Sequence, residues 1–171
     1  MAPSGGGGET ILQGNAGNGF ALYWRQWILV LGIRIAGASG DITDSDHIVW
    51  RLNRQTSYVP SPLLVGTDLY FLGHLSGIMT HVHAPTGKVL HGPFRLPGLG
   101  MIFASPVSAA GRIYIADRDG NTLVMQQGDP PKMVQLNTLG DRFAASPAVV
   151  GKELYLRGHR FLYCIANEEG E

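Results

Sequence analysis

Two histidines separated by a single residue have the strongest metal-binding character in this chain. His81 and His83 flank Val82, and alternation along a strand would place both imidazoles on one face, about 7 Å apart. A transition metal ion can bridge such a pair, with His74 or His91 as a third ligand. The sequence therefore predicts His81 and His83 as candidate metal ligands. The alternative is that both are ordinary solvated or hydrogen-bonded histidines beside a turn.

The remaining reactive side chains point to structural roles. Cys164 is the only cysteine, so the chain can form neither an internal disulfide nor a cysteine-based zinc site. Leu162, Tyr163 and Ile165 surround it, and we expect it to be a small buried core residue. The glycines form no phosphate-binding pattern. The sequence predicts no catalytic residue and no cofactor-binding residue, and we expect no cofactor.

Three serines that could be read as nucleophiles instead mark an internal repeat. Ser61, Ser105 and Ser146 each precede a proline and are spaced by 44 and then 41 residues. A tyrosine stands nine residues after each serine, at Tyr70, Tyr114 and Tyr155. Repetition at about 40 to 45 residues with four short strands per unit is typical of β-propeller blades. Their recurrence favours turn or capping roles for the serines and inter-blade packing for the tyrosines.

The repeat predicts an all-β protein, a β-propeller of four-stranded antiparallel blades with about three to four blades present. We expect a disordered glycine-rich leader at 1–8, one propeller segment at 9–166 and an acidic tail at 167–171. The predicted blades cover 9–57, 58–103, 104–144 and 145–166. The last has three strands only, which an outer strand from the N-terminal side could complete. We expect a four-bladed ring, half of an eight-bladed ring that closes by dimerisation, or a piece of a longer propeller protein.

Charge and hydropathy restrict the possible partners. Lysine plus arginine and aspartate plus glutamate both total 13, so the broad positive field that nucleic-acid binding needs is missing. The apolar run at 27–38 contains Arg34 and starts late, which favours a buried strand over a signal peptide. It is also too short for a membrane-spanning helix. We expect no nucleic-acid partner and no membrane span, and the compartment stays open.

The repeat resembles that of the pyrroloquinoline-quinone-like (quinoprotein-type) β-propeller superfamily. The similarity rests on the Ser-Pro to Tyr skeleton, on A-P-T-G-K-V-L at 84–90 and on F-L-Y-C-I-A at 161–166. More narrowly, G-D-I-T-D-S at 40–45 and V-W-R at 49–51 resemble the C-terminal half of bacterial propellers with this repeat. Residues 1–32 lie outside the similarity.

The resemblance implies a fold more firmly than an activity. Enzymes of the superfamily use adjacent cysteines over the quinone, and this chain has one cysteine. Their blade-docking pattern, A-x-D-x-x-T-G-x-x-x-W, keeps Thr86 and Gly87, but His81, His83 and His91 stand at its Ala, Asp and Trp places.

We therefore expect a non-enzymatic propeller scaffold or binding module with a protein or glycan partner, or with further copies of itself that complete the ring as a homo-oligomer. The alternatives are a remnant of a quinone- or metal-dependent oxidoreductase and an incomplete fragment of a longer propeller protein. The resemblance suggests a periplasmic or secreted location.

Overall fold

The structure of the chain is a computed structural model that describes residues 10–12, 20–25, 29–53, 57, 59–73 and 77–166. The leader at 1–8 and the tail at 167–171 lie outside these residues. Within them the chain is all β and forms four antiparallel sheets in chain order. No helix of the described part is long and apolar enough to cross a membrane.

Each sheet is built from consecutive strands, so neighbours in sequence are neighbours in space. The first sheet contains β1 (Thr10–Leu12), β2 (Phe20–Arg25), β3 (Leu29–Arg34) and β4 (Ile48–Leu52). The second contains β5 (Leu63–Val65), β6 (Asp68–Gly73), β7 (Ile78–His83) and β8 (Lys88–Arg95). The third contains β9 (Val107–Ala109), β10 (Arg112–Ala116), β11 (Asn121–Gln126) and β12 (Lys132–Thr138). The fourth contains β13 (Ala148–Val150), β14 (Glu153–Arg157) and β15 (Leu162–Ile165). This is the arrangement of propeller blades.

A ladder of serine hydroxyls joins the innermost strands. The Ser61 backbone N–H donates to Oγ of Ser105 at 2.8 Å, and the Ser105 N–H donates to Oγ of Ser146 at 3.0 Å. Strand β9 correspondingly lies beside both β5 and β13. The repeated Ser-Pro pair is therefore a structural link from blade to blade, in agreement with the role expected from its recurrence.

Apolar clusters fill the three seams between successive sheets. Val30 and Trp50 of the first sheet pack on Leu69 and Phe71 of the second. The largest cluster joins the second sheet to the third, and Phe143 with Leu156 anchors the third seam. The second and third sheets thus each bury both faces against their neighbours, and the core is divided among the three seams.

The first seam is closed by an indole that docks on a glycine. Trp50 is buried, and its Nε1–H donates to the Ala84 carbonyl at 2.6 Å. A Cβ at Gly87, where φ is +69°, would lie 2.5 Å from Cγ of Trp50. One at Gly32 would lie 2.2 Å from its Nε1. The indole therefore fits only because both positions lack a side chain, and Trp50 packs the first sheet against the second.

The sequence predicts one strand-like stretch at 20–31 and a strand at 88–91, and both of these bounds were wrong. The stretch at 20–31 contains residues of two paired strands, β2 and β3, which its apolar pattern does not separate. The strand predicted at 88–91 continues to Arg95 as β8, past Gly92 and Pro93, since an outer strand tolerates proline.

Candidate functional site

The two histidines of the predicted metal pair have separate protein partners. The His81 ring is fully buried, stacks on Tyr70 at a centroid distance of 4.5 Å, and its Nε2 lies 3.0 Å from Oδ1 of Asp68. Nδ1 of His83 lies 2.8 Å from Oγ1 of Thr86. His81 occupies the strand row that faces the third sheet, whereas His83 pairs with a turn residue at the edge of the second.

No group of three or more metal-ligating side chains occurs among the described residues. The candidate third ligand His74 lies outside them, and His91 packs its ring against Phe94 at 4.8 Å. Metal binding by His81 and His83 therefore stays a prediction.

Cys164 is exposed, so the expectation that it is a buried core residue was wrong. It lies in register with Tyr155 and Ala148. The corresponding row of the second sheet contains Tyr70 and His81, which are buried because the third sheet covers them. Burial at this position depends on the next sheet, which the local sequence does not reveal.

A cleft of about 770 Å³ opens where the third and fourth sheets meet at one end of the ring. Three segments line it: the β10–β11 turn, the connection from β12 to β13, and the end of β14 with the turn that follows. These segments share one end because the strands of each sheet alternate in direction. Backbone bonds fix them, with His159 N–H donating to the Arg142 carbonyl at 3.0 Å.

Four arginines line this cleft: Arg118, Arg142, Arg157 and Arg160. Among the described residues, no carboxylate lies within 4.0 Å of the guanidinium of Arg118, Arg142 or Arg157. The guanidinium of Arg118 lies over the Phe103 ring at 4.8 Å, and that of Arg160 lies over the Phe161 ring at 5.6 Å. In a chain with no net charge, this cleft thus has four arginines against the two carboxylates of Asp119 and Asp141.

The buried carboxylate of Asp141 accepts hydrogen bonds mainly from backbone N–H groups at the base of the cleft, rather than from the arginine side chains. It accepts hydrogen bonds from the backbone N–H groups of Arg142, Arg160 and Phe161, at 2.8 to 3.2 Å, and from the Tyr163 hydroxyl at 3.3 Å. Burial alone would raise the pKa of Asp141, but these bonds to the ionised form lower it to about 2. Its contact with Nε of Arg160 is long, at 3.9 Å. The carboxylate is therefore occupied by the backbone. The guanidinium groups of Arg157 and Arg160 donate to the backbone carbonyls of Gly158 and Gly140. Of the four cleft arginines, Arg118 and Arg142 keep guanidinium donors with no described protein acceptor.

The preceding repeat shows that the fold does not require these arginines. Met101, Ala116 and Asp119 stand 41 residues before Arg142, Arg157 and Arg160. The alignment is structural, because Arg118 N–H donates to the Met101 carbonyl as His159 N–H donates to that of Arg142. The same architecture is thus built with an apolar, a small and an acidic residue at one seam and with three cations at the next.

The cleft was not predicted from the sequence, although the signal was there. Its arginines belong to three separate segments of the chain, and the net charge of zero gives no indication that they form a cluster. A position-by-position comparison of the repeats would have found these arginines. Residues with a structural role recur from repeat to repeat, and the arginines do not.

Comparisons with known proteins identify the fold. No protein-family model matches the chain, and no curated protein sequence matches it. Among solved structures, BamB from Moraxella catarrhalis is similar at 15% identity and a TM-score of 0.65, over 86% of this chain and 43% of that one. The Neurospora crassa Pan2 WD40 domain matches at 11% identity and 0.60, over 87% and 43%. The computationally designed Ika4 protein matches at 9% identity and 0.66, over 86% and 85%.

The chain is an all-β protein with a β-propeller fold, since WD40 domains are propellers. It spans 43% of the length of the BamB and Pan2 chains.

Proposed function

We propose that the chain is a non-enzymatic β-propeller binding module of the pyrroloquinoline-quinone-like superfamily, and that it binds anionic groups of a partner in the arginine cleft. The observation that carries the proposal is the set of guanidinium groups that replace Met101, Ala116 and Asp119 of the preceding repeat. Propellers commonly place binding residues in the turns at one end of the ring, while the strands supply the scaffold.

The size and the wall of the cleft support binding. Its volume of about 770 Å³ falls within the range of roughly 300 to 1,000 Å³ usual for ligand clefts. Buried Phe143 forms part of the wall beside the arginines. The membership in the superfamily is supported by the docking of Trp50 on Gly87, which belongs to the retained Thr-Gly pair.

Backbone NMR titration with two anionic probes at constant ionic strength would test this function. The probes are inorganic phosphate and a short glutamate-rich peptide. Binding in the cleft should shift the amide signals of 140–145 and 157–160 and leave those of β6 and β7 unchanged. Absence of localised shifts with both probes would overturn the proposal.

A second partner is a further copy of the chain, bound to the open face of the fourth sheet. Val150 and Leu162 are 61% and 65% exposed there, beside the exposed Cys164. The equivalent face of the second sheet, which carries Tyr70, is buried by the next blade. We propose that the fourth sheet of one copy packs against a blade of another, as blades do within the chain.

A further inference from the structure

The form of the cations in the cleft indicates the chemistry of the ligand. The four cations that line the cleft are all arginines, and its lining contains no lysine; its carboxylates are those of Asp119 and Asp141. A guanidinium is planar and presents its N–H donors as a fork that matches a carboxylate with two parallel hydrogen bonds. A lysine ammonium would serve equally as a point charge, so the arrangement favours planar, bidentate recognition.

Two of the four guanidinium groups pack against aromatic rings. The faces of Phe103 and Phe161 lie against the guanidinium groups of Arg118 and Arg160. Contact through the face of a guanidinium leaves its edge, which carries the N–H donors, for other partners. The edge of Arg160 donates to the Gly140 carbonyl, whereas that of Arg118 has no described acceptor. Asp141 fixes the backbone N–H groups of Arg160 and Phe161 and so positions this part of the rim.

An exposed aromatic side chain lies beside the cleft. Phe161 does not line the cleft, but its ring contacts the guanidinium of Arg160, and it is 57% exposed although it is large and aromatic. Exposed aromatic residues beside arginines, with lysine depleted, are the composition of energetically important positions in protein–protein interfaces. A free small anion would use the arginines and leave this ring in water.

We infer that the cleft binds an acidic segment of a partner protein, with at least two carboxylates that pair with the arginines and an apolar side chain that packs on Phe161. The inference rests on the proposed function and specifies its ligand. Nucleic acid is a weaker fit, because the zero net charge of the chain supplies no field beyond the cleft. The volume also exceeds what a single carboxylate would occupy.

Isothermal titration with three probes would test the inference. The probes are a short peptide with two glutamates and a phenylalanine, the same peptide with glutamines, and inorganic phosphate. The glutamate peptide should bind, the glutamine peptide should bind at least about tenfold more weakly, and phosphate should compete only weakly. Because residues 167–171 contain three glutamates, the titrations are repeated with a chain that carries Glu168→Gln, Glu169→Gln and Glu171→Gln, so that these carboxylates cannot compete with the peptide.

Variants taken from the repeat itself keep the test independent of folding. Arg142→Met installs the residue that the preceding repeat carries at this position, and it should weaken the glutamate peptide about tenfold. Arg34→Met removes the same charge from an exposed site on β3 and should change affinity less than about twofold. Phe161→Ser should weaken the peptide and leave phosphate competition unchanged.

The outcomes separate the two proposals. Phosphate or an oligonucleotide that binds the cleft more tightly than the glutamate peptide would overturn the inference and leave the anion-binding function intact. Failure of all probes to bind would overturn both. Equal losses with Arg142→Met and Arg34→Met would show that only general charge attraction is at work, which also overturns the inference.

Discussion

Replacement of Gly87 with alanine should loosen the contact between the first and second sheets. Gly87 has a φ of +69°, and its missing Cβ would lie 2.5 Å from Cγ and 2.8 Å from Cβ of Trp50. A left-handed backbone costs a residue with a side chain about 1 to 2 kcal/mol. Displacement of a buried indole and loss of its bond to the Ala84 carbonyl add to that cost, for a total of about 3 to 5 kcal/mol.

Gly66→Ala supplies the matched control for this substitution. Gly66 has a nearly equal φ of +60°, but no atom lies within 4 Å of the place that a Cβ would occupy there. Gly66→Ala should therefore cost only the backbone strain of about 1 to 2 kcal/mol. The free energies of unfolding can be measured by urea denaturation followed by circular dichroism.

A double-mutant cycle with Trp50→Ala assigns the difference to the indole. Trp50→Ala alone should destabilise by about 3 to 5 kcal/mol. In that background Gly87→Ala should cost less than it does in the native chain, because the contacts with the indole ring are gone and only the 2.8 Å approach to the retained Cβ of residue 50 remains. Equal destabilisation by Gly87→Ala and Gly66→Ala would refute the role of the indole, as would an excess cost of Gly87→Ala that is undiminished without it.

Three further predictions concern the seams and the open face. Ser105→Ala removes the acceptor for the Ser61 N–H and should cost about 1 to 2 kcal/mol in urea denaturation, whereas Ser61→Ala should cost less than about 0.5, since no described donor uses its hydroxyl; equal costs would contradict the ladder. The pKa of Asp141 lies below its ordinary value of 3.8, at about 2, so its ionised form stabilises the fold above pH 3.8 and this stabilisation is lost as the pH falls towards 2. The stability difference between the native chain and Asp141→Asn should accordingly shrink over that range in acid titrations, and a constant difference would refute the assignment. Sedimentation should show self-association that Leu162→Lys reduces and that Met133→Lys, at an exposed site on β12, does not; an equal effect of both would argue against the open face.

The repeat predicted most of the architecture because the residues that mark strands and turns recur at the same positions in successive blades. The sequence predicts strands at 78–83 and 112–116, and β7 (Ile78–His83) and β10 (Arg112–Ala116) have these bounds. The Ser-Pro pairs and the glycines at the turns mark backbone requirements that recur with every unit, so they can be recognised without knowledge of packing.

What could not be predicted depends on contacts between units. The exposure of Cys164 depends on whether another blade covers the fourth sheet. The partners of His81 and His83 depend on ring orientation, and alternation along a strand does not determine it. The arginine cleft forms only when three segments that are distant in sequence meet at one end of the ring.

Asp117 and Asp141 support the turns of the third and fourth sheets from different positions, and this difference determines which segments of the two units can be exchanged. In the third sheet, Asp117 lies in the turn and reaches the Gly100 N–H at 2.9 Å. In the fourth, Gly158 occupies the place of Asp117 and Asp141 occupies the place of Gly100, so the carboxylate reaches the turn from the opposite side.

A chimaera that combines the connection of one unit with the hairpin turn of the other would therefore have either two carboxylates or no carboxylate between that connection and that turn. An aspartate at Gly100 would start from a Cβ only 2.5 Å from Oδ2 of Asp119. The smallest segment that can be duplicated or transplanted in such a propeller is thus a connection together with the hairpin turn it supports. Chimaeras joined between residues 138 and 141 should fold, whereas those joined between 141 and 158 should not.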